Sequence, residues 1–345
     1  MFKYNTATGT AAWTDLLRSL KDGPVPNLRG SPKLKSIGNK AYWYGQYRIG
    51  KEVIDQYIGE NSEHLRDQIS RHKTIVATEK QARRERARLI RILRAEGYLM
   101  TDMGSGQILS SMAKLDVFRL GGILVGTPAF RAYQGELGVQ IGFDEAAETD
   151  DLDIASFEHL SVVLGDFDDT QLVDAFSKMK FDPVPVRNKG KIWKWRQTDR
   201  ETLVEFLIPS FGGNEKVRDL PALGVSAQCH QFLDYLIADP IQAPLLYRSG
   251  ALIRIPRPER FAIHKLIIAD RRRGCSDAWK SRKDRAQAEF LIEVLHQDRP
   301  EDLAEAYEEA LDRGPAWQAH VSASLKHMPK TKHFLASMLK HIRKT

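Results

Sequence analysis

A single glutamate interrupts an otherwise apolar run. In TLVEFLIPS, residues 202–210, Glu205 alternates with Leu203 and Leu207 on one face of what reads as a β-strand. A carboxylate among leucines is costly, so the fold must bring compensating charge beside this strand. The expectation is that a neighbouring metal ion supplies it. A second stretch, DLDIA at 151–155, also reads as a strand. Alternation puts Asp151 and Asp153 on one face and Leu152 and Ile154 on the other. Two hard oxygen donors about 7 Å apart along a strand suit Mg²⁺, or a pair of such ions. Upstream, GGILVG reads as a buried strand that runs into a helix, TPAFRAYQGELG. Thr127 is the expected N-cap and Pro128 the first helical residue. A helix start with Gly126 and Thr127 at its corner suits phosphate, because free N–H groups point outward and glycine lets the backbone approach.

The charge is unevenly spread. The chain of 345 residues carries +7 overall, yet Ala132 to Ser177 holds twelve acidic residues and no Lys or Arg. All 52 basic residues lie outside that window, against 33 acidic ones. A basic body around an acidic stretch fits a cation site within a surface that recruits polyanions. The basic part peaks in KQARRERARLIRILRAEG, a helix that carries Arg83, Arg84, Arg88 and Arg91. Such a helix can grip nucleic-acid phosphates, or simply be a solvated outer face.

Other classes are excluded by what the chain lacks. There is no run of 18 apolar residues to cross a membrane, and no apolar leader segment, so a cytoplasmic location is expected. Two cysteines, Cys229 and Cys275, cannot build a disulfide framework. GSGQ at 104–107 has no P-loop lysine, and neither HExxH nor G-x-S-x-G occurs. His264 is expected to be a packed residue rather than an acid–base group.

Along the chain, residues 1–40 read as loop. AYWYGQYRI and KEVIDQYIG form a hairpin whose aromatics either pack or stack on bases, and a helix follows over 62–96. GQILSSMAKLDVF is a short helix; LSVVLG and KIWKWRQ are strands, and TQLVDAFSKM is a helix. From about Gly212 the pattern turns helical, apart from a strand in ALIRIPRP. The expected fold class is α+β. A mixed sheet with helices occupies 105–215, an N-terminal basic region with hairpin and long helix 1–104, and a C-terminal helical domain 216–345.

The Gly-Thr corner, the Asp-x-Asp strand and the later acid together resemble the polymerase-β-like nucleotidyltransferase superfamily. Within it, YWYGQYRIGKEVIDQYIG, FRLGGILVGTPAFRAYQGELGV, TDDLDIA, LVEFLIPS, IPRPERFAIHKLIIADRRR and KSRKDRAQA resemble a bacterial family related to the abortive-infection AbiEii toxins. These pieces cover most of residues 41–296. The resemblance implies an NTP as substrate, with Gly126 and Thr127 at the phosphates and Mg²⁺ or Mn²⁺ held by Asp151, Asp153 and Glu205. It implies that Lys265 reaches the triphosphate and that Lys283 and Asp284 form a later Lys-Asp element. It further implies an RNA acceptor (tRNA-like, at its 3′ end) or a protein acceptor, a possible antitoxin partner, and no membrane. Two departures stand out: Thr127 replaces the usual serine, and the spacer to Asp151 is long. The competing readings are a non-catalytic nucleic-acid-binding protein and a toxin that nucleotidylates a protein.

Overall fold

The first twenty residues are not loop. Thr6 accepts a hydrogen bond from the Gly9 N–H and starts helix α1 (Ala7–Lys21). Leu16, Trp13 and Ala12 form its buried face. In this computed structural model the described residues are 2–22, 31–49, 52–119, 121–142, 151–155, 181–184, 191–197, 203–210, 216–220, 225–273 and 278–342. The segments LSVVLG and TQLVDAFSKM, and most of the acidic window, lie outside them.

An antiparallel sheet follows, β1 (Ser31–Ile37), β2 (Lys40–Ile49) and β3 (Glu52–Glu60), so the expected hairpin gains a third strand. Helix α2 (Glu63–Ala95) begins at Ser62, whose hydroxyl accepts from the Leu65 N–H, and runs for 33 residues. Helix α3 (Met103–Lys114) leads to β4 (Ile123–Val125), which enters α4 (Gly126–Glu136) without a break.

The central sheet contains β4, β5 (Asp151–Ala155), β6 (Phe181–Pro183), β7 (Lys194–Gln197), β8 (Leu203–Pro209), β9 (Val217–Leu220) and β10 (Val225–His230). Its order is β4-β5-β8-β10-β9, with β7 also on β8 and β6 on β7. Strand β8 is the hub. One edge carries β5, in parallel. The other is shared, by β7 along Leu203–Glu205 and by β10 along Leu207–Pro209. Two of these strands correct the expected helical turn after Gly212: β9 and β10 extend the sheet before the short helix α5 (Leu233–Ile237).

A small hairpin, β11 (Ile241–Leu245) with β12 (Ala251–Ile255), precedes five helices: α6 (Pro258–Arg271), α7 (Ala278–Asp298), α8 (Pro300–Asp312), α9 (Pro315–Leu325) and α10 (Pro329–Ile342). Proline opens α6, α8 and α9, where its missing N–H has no intrahelical partner to lose. The α+β class is as expected. No helix among the described residues is long and apolar enough to cross a membrane.

One continuous apolar cluster reaches from Ala12 on α1 to Met338 on α10. Its centre fixes α4. Phe130 and Tyr133 pack on Phe261 of α6 at 6.0 and 5.3 Å between ring centroids, and the Tyr133 hydroxyl donates to Pro256 O at 2.9 Å. On the other side α1 lies against α4: Asn5 donates to Gln134 O at 2.8 Å, and the Trp13 ring sits over Gly135. A Cβ at Gly135 would come within 2.2–2.4 Å of Trp13 ring atoms, so only glycine permits this approach.

Alanine at a helix-interior glycine normally gains about 1 kcal/mol. At Gly135 the sign reverses, because the buried Trp13 ring cannot give way without parting α1 from α4. Gly135→Ala is expected to lose about 1–3 kcal/mol by overpacking. Urea unfolding checks this, and a stabilised variant contradicts the packing described.

Candidate active site

The sheet register puts the sequence-expected acids side by side. On β5, Asp153 is the partner of Val125 on β4 and of Glu205 on β8. Glu205 in turn is the partner of Lys194 on β7. A row of four residues, Val125, Asp153, Glu205 and Lys194, therefore crosses the sheet at steps of about 4.8 Å. Asp151 stands two residues earlier on β5, opposite Leu203. Gly126 follows Val125 directly, so the helix corner and the acids meet at one end of the sheet.

That corner is a helix start without a side-chain cap. Val125 holds the N-cap position in extended conformation and contributes no cap hydrogen bond. Gly126 has φ +75°, in the left-handed region that favours glycine. Thr127 therefore lies inside the first turn rather than capping it, and it is buried. The correction has a physical reason: Val125 holds the N-cap position and has no hydroxyl to offer. The uncapped first turn and its positive dipole end favour an anion here.

The compensating charge for Glu205 is a lysine. Lys194 Nζ lies 2.6 Å from the Glu205 carboxylate, and both side chains are largely shielded from water. The reasoning from sequence missed this partner, because only the β7–β8 register makes KIWKWRQ a neighbour of TLVEFLIPS. It also missed His230 at the end of β10, in register with Pro209 and hence on the Glu205 face of β8. Burial pushes the His230 imidazole below its ordinary range, while the Glu205 charge pulls it back up. Its Nε2 is buried with no hydrogen-bond partner among the described residues.

A second constellation joins α6 to α7. Lys265 Nζ bonds the Asp284 carboxylate at 2.5 Å, and Arg272 bonds its other oxygen at 2.7 Å. Lys265 and Asp284 are both buried. Burial works against the Asp284 charge, but Lys265 and Arg272 outweigh it and hold the carboxyl below its usual range. Lys265, expected at the triphosphate, is thus occupied by an internal acid. Its neighbour Lys283 is different. Burial first, then the Lys265 charge, push its pKa down to about 8, with Arg131 of α4 adding to the effect. Arg131 sits little more than one turn beyond Gly126, which links this cationic cluster to the helix corner. His264 is packed as expected: burial, then Lys265, lowers its pKa to about 3.

The arginines of α2 form a separate feature. Arg83, Arg84, Arg88 and Arg91 are all exposed, and Arg88 pairs with Glu85 at 2.8 Å. Arg86 is instead buried, bonding Glu79 and donating to Ser249 O at 3.3 Å. On the N-terminal sheet, Tyr57 is 56% exposed and meets Tyr44 and Tyr42 at 5.6 and 6.1 Å. Tyr42 and Tyr44 are half-buried, so Tyr57 is the open member of this cluster.

Lys265→Met would leave the buried Asp284 charge with Arg272 alone. The expected loss is about 3–5 kcal/mol, as for breaking a buried ion pair by removing one partner. Denaturant unfolding of the full chain measures it; a loss below about 1 kcal/mol would show that Lys265 is not structurally committed.

A family model described as nucleotidyltransferase matches residues 104–312. A model for a domain of unknown function matches residues 13–67. No curated protein and no solved structure matches the chain.

Proposed function

The chain belongs to the nucleotidyltransferase family, and from that premise we propose that it moves a nucleoside monophosphate from an NTP to an RNA 3′ end. The observation that carries this reading is the register that sets Asp153 between Val125 and Glu205, beside Gly126. Asp151, Asp153 and Glu205 are the residues that would hold Mg²⁺ or Mn²⁺. The donor set fits, being carboxylates on adjacent strands of one sheet end. Bound there, such an ion supplies counter-charge for the triphosphate and a lower pKa for the attacking hydroxyl.

The chain's own groups divide the remaining work. The uncapped first turn at Gly126 and Thr127 cradles phosphate oxygens. Lys283 and Arg131 neutralise charge on the leaving pyrophosphate. The acceptor hydroxyl oxygen bonds to the α-phosphorus, the bond to the bridging oxygen breaks, and pyrophosphate departs. Glu205 would receive the hydroxyl proton, with Lys194 standing 2.6 Å from its carboxylate as counter-charge. An RNA acceptor is supported by the exposed Tyr57 and the arginines of α2. Toxin activity checked by an antitoxin rests on the resemblance to abortive-infection toxins alone.

Incubating the protein with Mg²⁺ and each labelled NTP, alongside total RNA and lysate protein, tests the reading. Label is expected on RNA. Asp153→Ala and Glu205→Gln are each expected to lower transfer by at least about 100-fold while leaving the thermal midpoint within a few degrees. Label on protein selects the protein-modifying alternative, and absence of label from both overturns the proposal.

Lys283 gives a pH signature. Its ammonium is present below about pH 8 and lost above it. The kcat/KM for NTP, which reports the free enzyme, is therefore expected to fall as pH rises through that range. Lys283→Gln removes this limb and lowers the value at pH 7 about tenfold. A wild-type profile that stays flat to pH 9.5 would contradict the assignment.

A further inference from the structure

Helices α1, α2, α3 and the β11–β12 hairpin enclose a cleft of about 1050 Å³, which Glu136 at the end of α4 also lines. Its walls carry both signs of charge, yet every acid is already engaged. Glu79 bonds Arg86, Asp116 lies 3.3 Å from Arg119, and Glu136 lies 3.0 Å from Arg299. Four cations remain: Lys21, Arg83, Lys114 and Arg254. None of them has a hydrogen-bond or ion-pair partner among the described residues. They come from four different elements, so chain folding has gathered them rather than a local run of basic residues.

Like charges gathered around a concave space repel one another. Partial desolvation, then Arg83 and Arg248, push the Lys114 ammonium below the ordinary lysine range, and no carboxylate offsets them. Desolvation alone lowers Arg254. Both groups stay accessible from the cleft. An anion would relieve this repulsion.

We propose that this cleft binds the phosphate backbone of a single-stranded RNA. Two observations favour a strand over a small phosphate compound. The volume exceeds what an inorganic anion fills. The positive surface also continues outside the cleft, because Arg84 and Arg91 lie exposed on the stripe of α2 next to Arg83. The cleft is also joined to the candidate active site by one rigid element. Glu136 at its rim ends α4, and Gly126 begins it; eleven residues of helix span about 16 Å. A short single-stranded end bridges that distance. The site deepens the proposed function, resting on it for the role of the strand as acceptor; binding itself does not require transfer.

The test is fluorescence anisotropy of the full chain with a labelled single-stranded RNA of about 20 nucleotides, over a salt series. Lys114→Glu and Arg254→Glu are each expected to weaken binding about tenfold or more at 0.1 M salt and to flatten the salt dependence. Lys114→Gln, which keeps the stem and removes only the charge, is expected to weaken it less. Thermal midpoints identify any variant that has lost its fold, and the Gln variant then carries the comparison. Unchanged affinity in Lys114→Glu and Arg254→Glu overturns the site. Inorganic triphosphate displacing the RNA at equal molar concentration overturns its assignment to a strand. The two proposals separate in Asp153→Ala: intact RNA binding without transfer is expected if both hold. Intact transfer in that variant defeats the catalytic reading while leaving the cleft standing.

Discussion

A carboxylate on the hub strand of a mixed sheet is tolerable only when charge stands beside it. Glu205 meets that condition through Lys194, its cross-strand partner, at 2.6 Å. The consequence is organisational. With β7 and β10 sharing one edge of β8, only the other is free to take β5, and that pairing puts Asp153 against Glu205. Strand β4 then closes on β5 and delivers Gly126 to the same sheet end. The ion pair gives the hub acid a counter-charge from within the sheet itself.

The same logic separates two kinds of cation near the phosphate side. Asp284 is buried and needs a counter-charge, and Lys265 and Arg272 provide it. Those groups are structural, tying α6 to α7. Lys283, one residue from Asp284, gains only part of that stabilisation and is pushed towards neutrality by its neighbours. A cation held in this way gains most from an incoming anion, because the anion restores what burial and Lys265 remove. Under the proposed function, the residue suited to meet a triphosphate is therefore the one with the least satisfied charge, not the most deeply placed.

Much of the fold was legible because local chemistry agreed with tertiary packing. GGILVG, DLDIA and TLVEFLIPS are strands, and the helix that Pro300 opens lies where its proline puts it. The failures share a cause. Residues 1–40 read as loop although α1 packs Trp13, Leu16 and Leu20 inward, and the face makes sense once Gly135 is seen to admit Trp13. Strand β9 is only four residues long, and β10 alternates just Val225, Ala227 and Cys229 with polar residues, so the pairing of β10 with β8 and of β9 with β10 decides them. In the site, the positions of Asp153 and Glu205 followed from pattern. Lys194 and His230 did not, because each is defined by register with β8 and by nothing in its own segment. The buried state of Lys265 was equally hidden: an amphipathic helix does not announce that a second helix brings an acid to it.

Among the described residues, acids sit where β5 and β8 meet beside Gly126, and cations without an ion-pair partner gather in the cleft at the far end of α4. A polyanion approaching the sheet end alone would be repelled by the acids. Held first by the cleft, it would be presented along α4 with its end towards the corner, and the repulsion at the acids would be met by an anchoring attraction about 16 Å away. Helix α4 is braced for this by Trp13 against Gly135 on one side and Phe261 against Phe130 on the other. In the proposed arrangement, the rigidity of that one helix would set the distance between where a strand is held and where its end arrives.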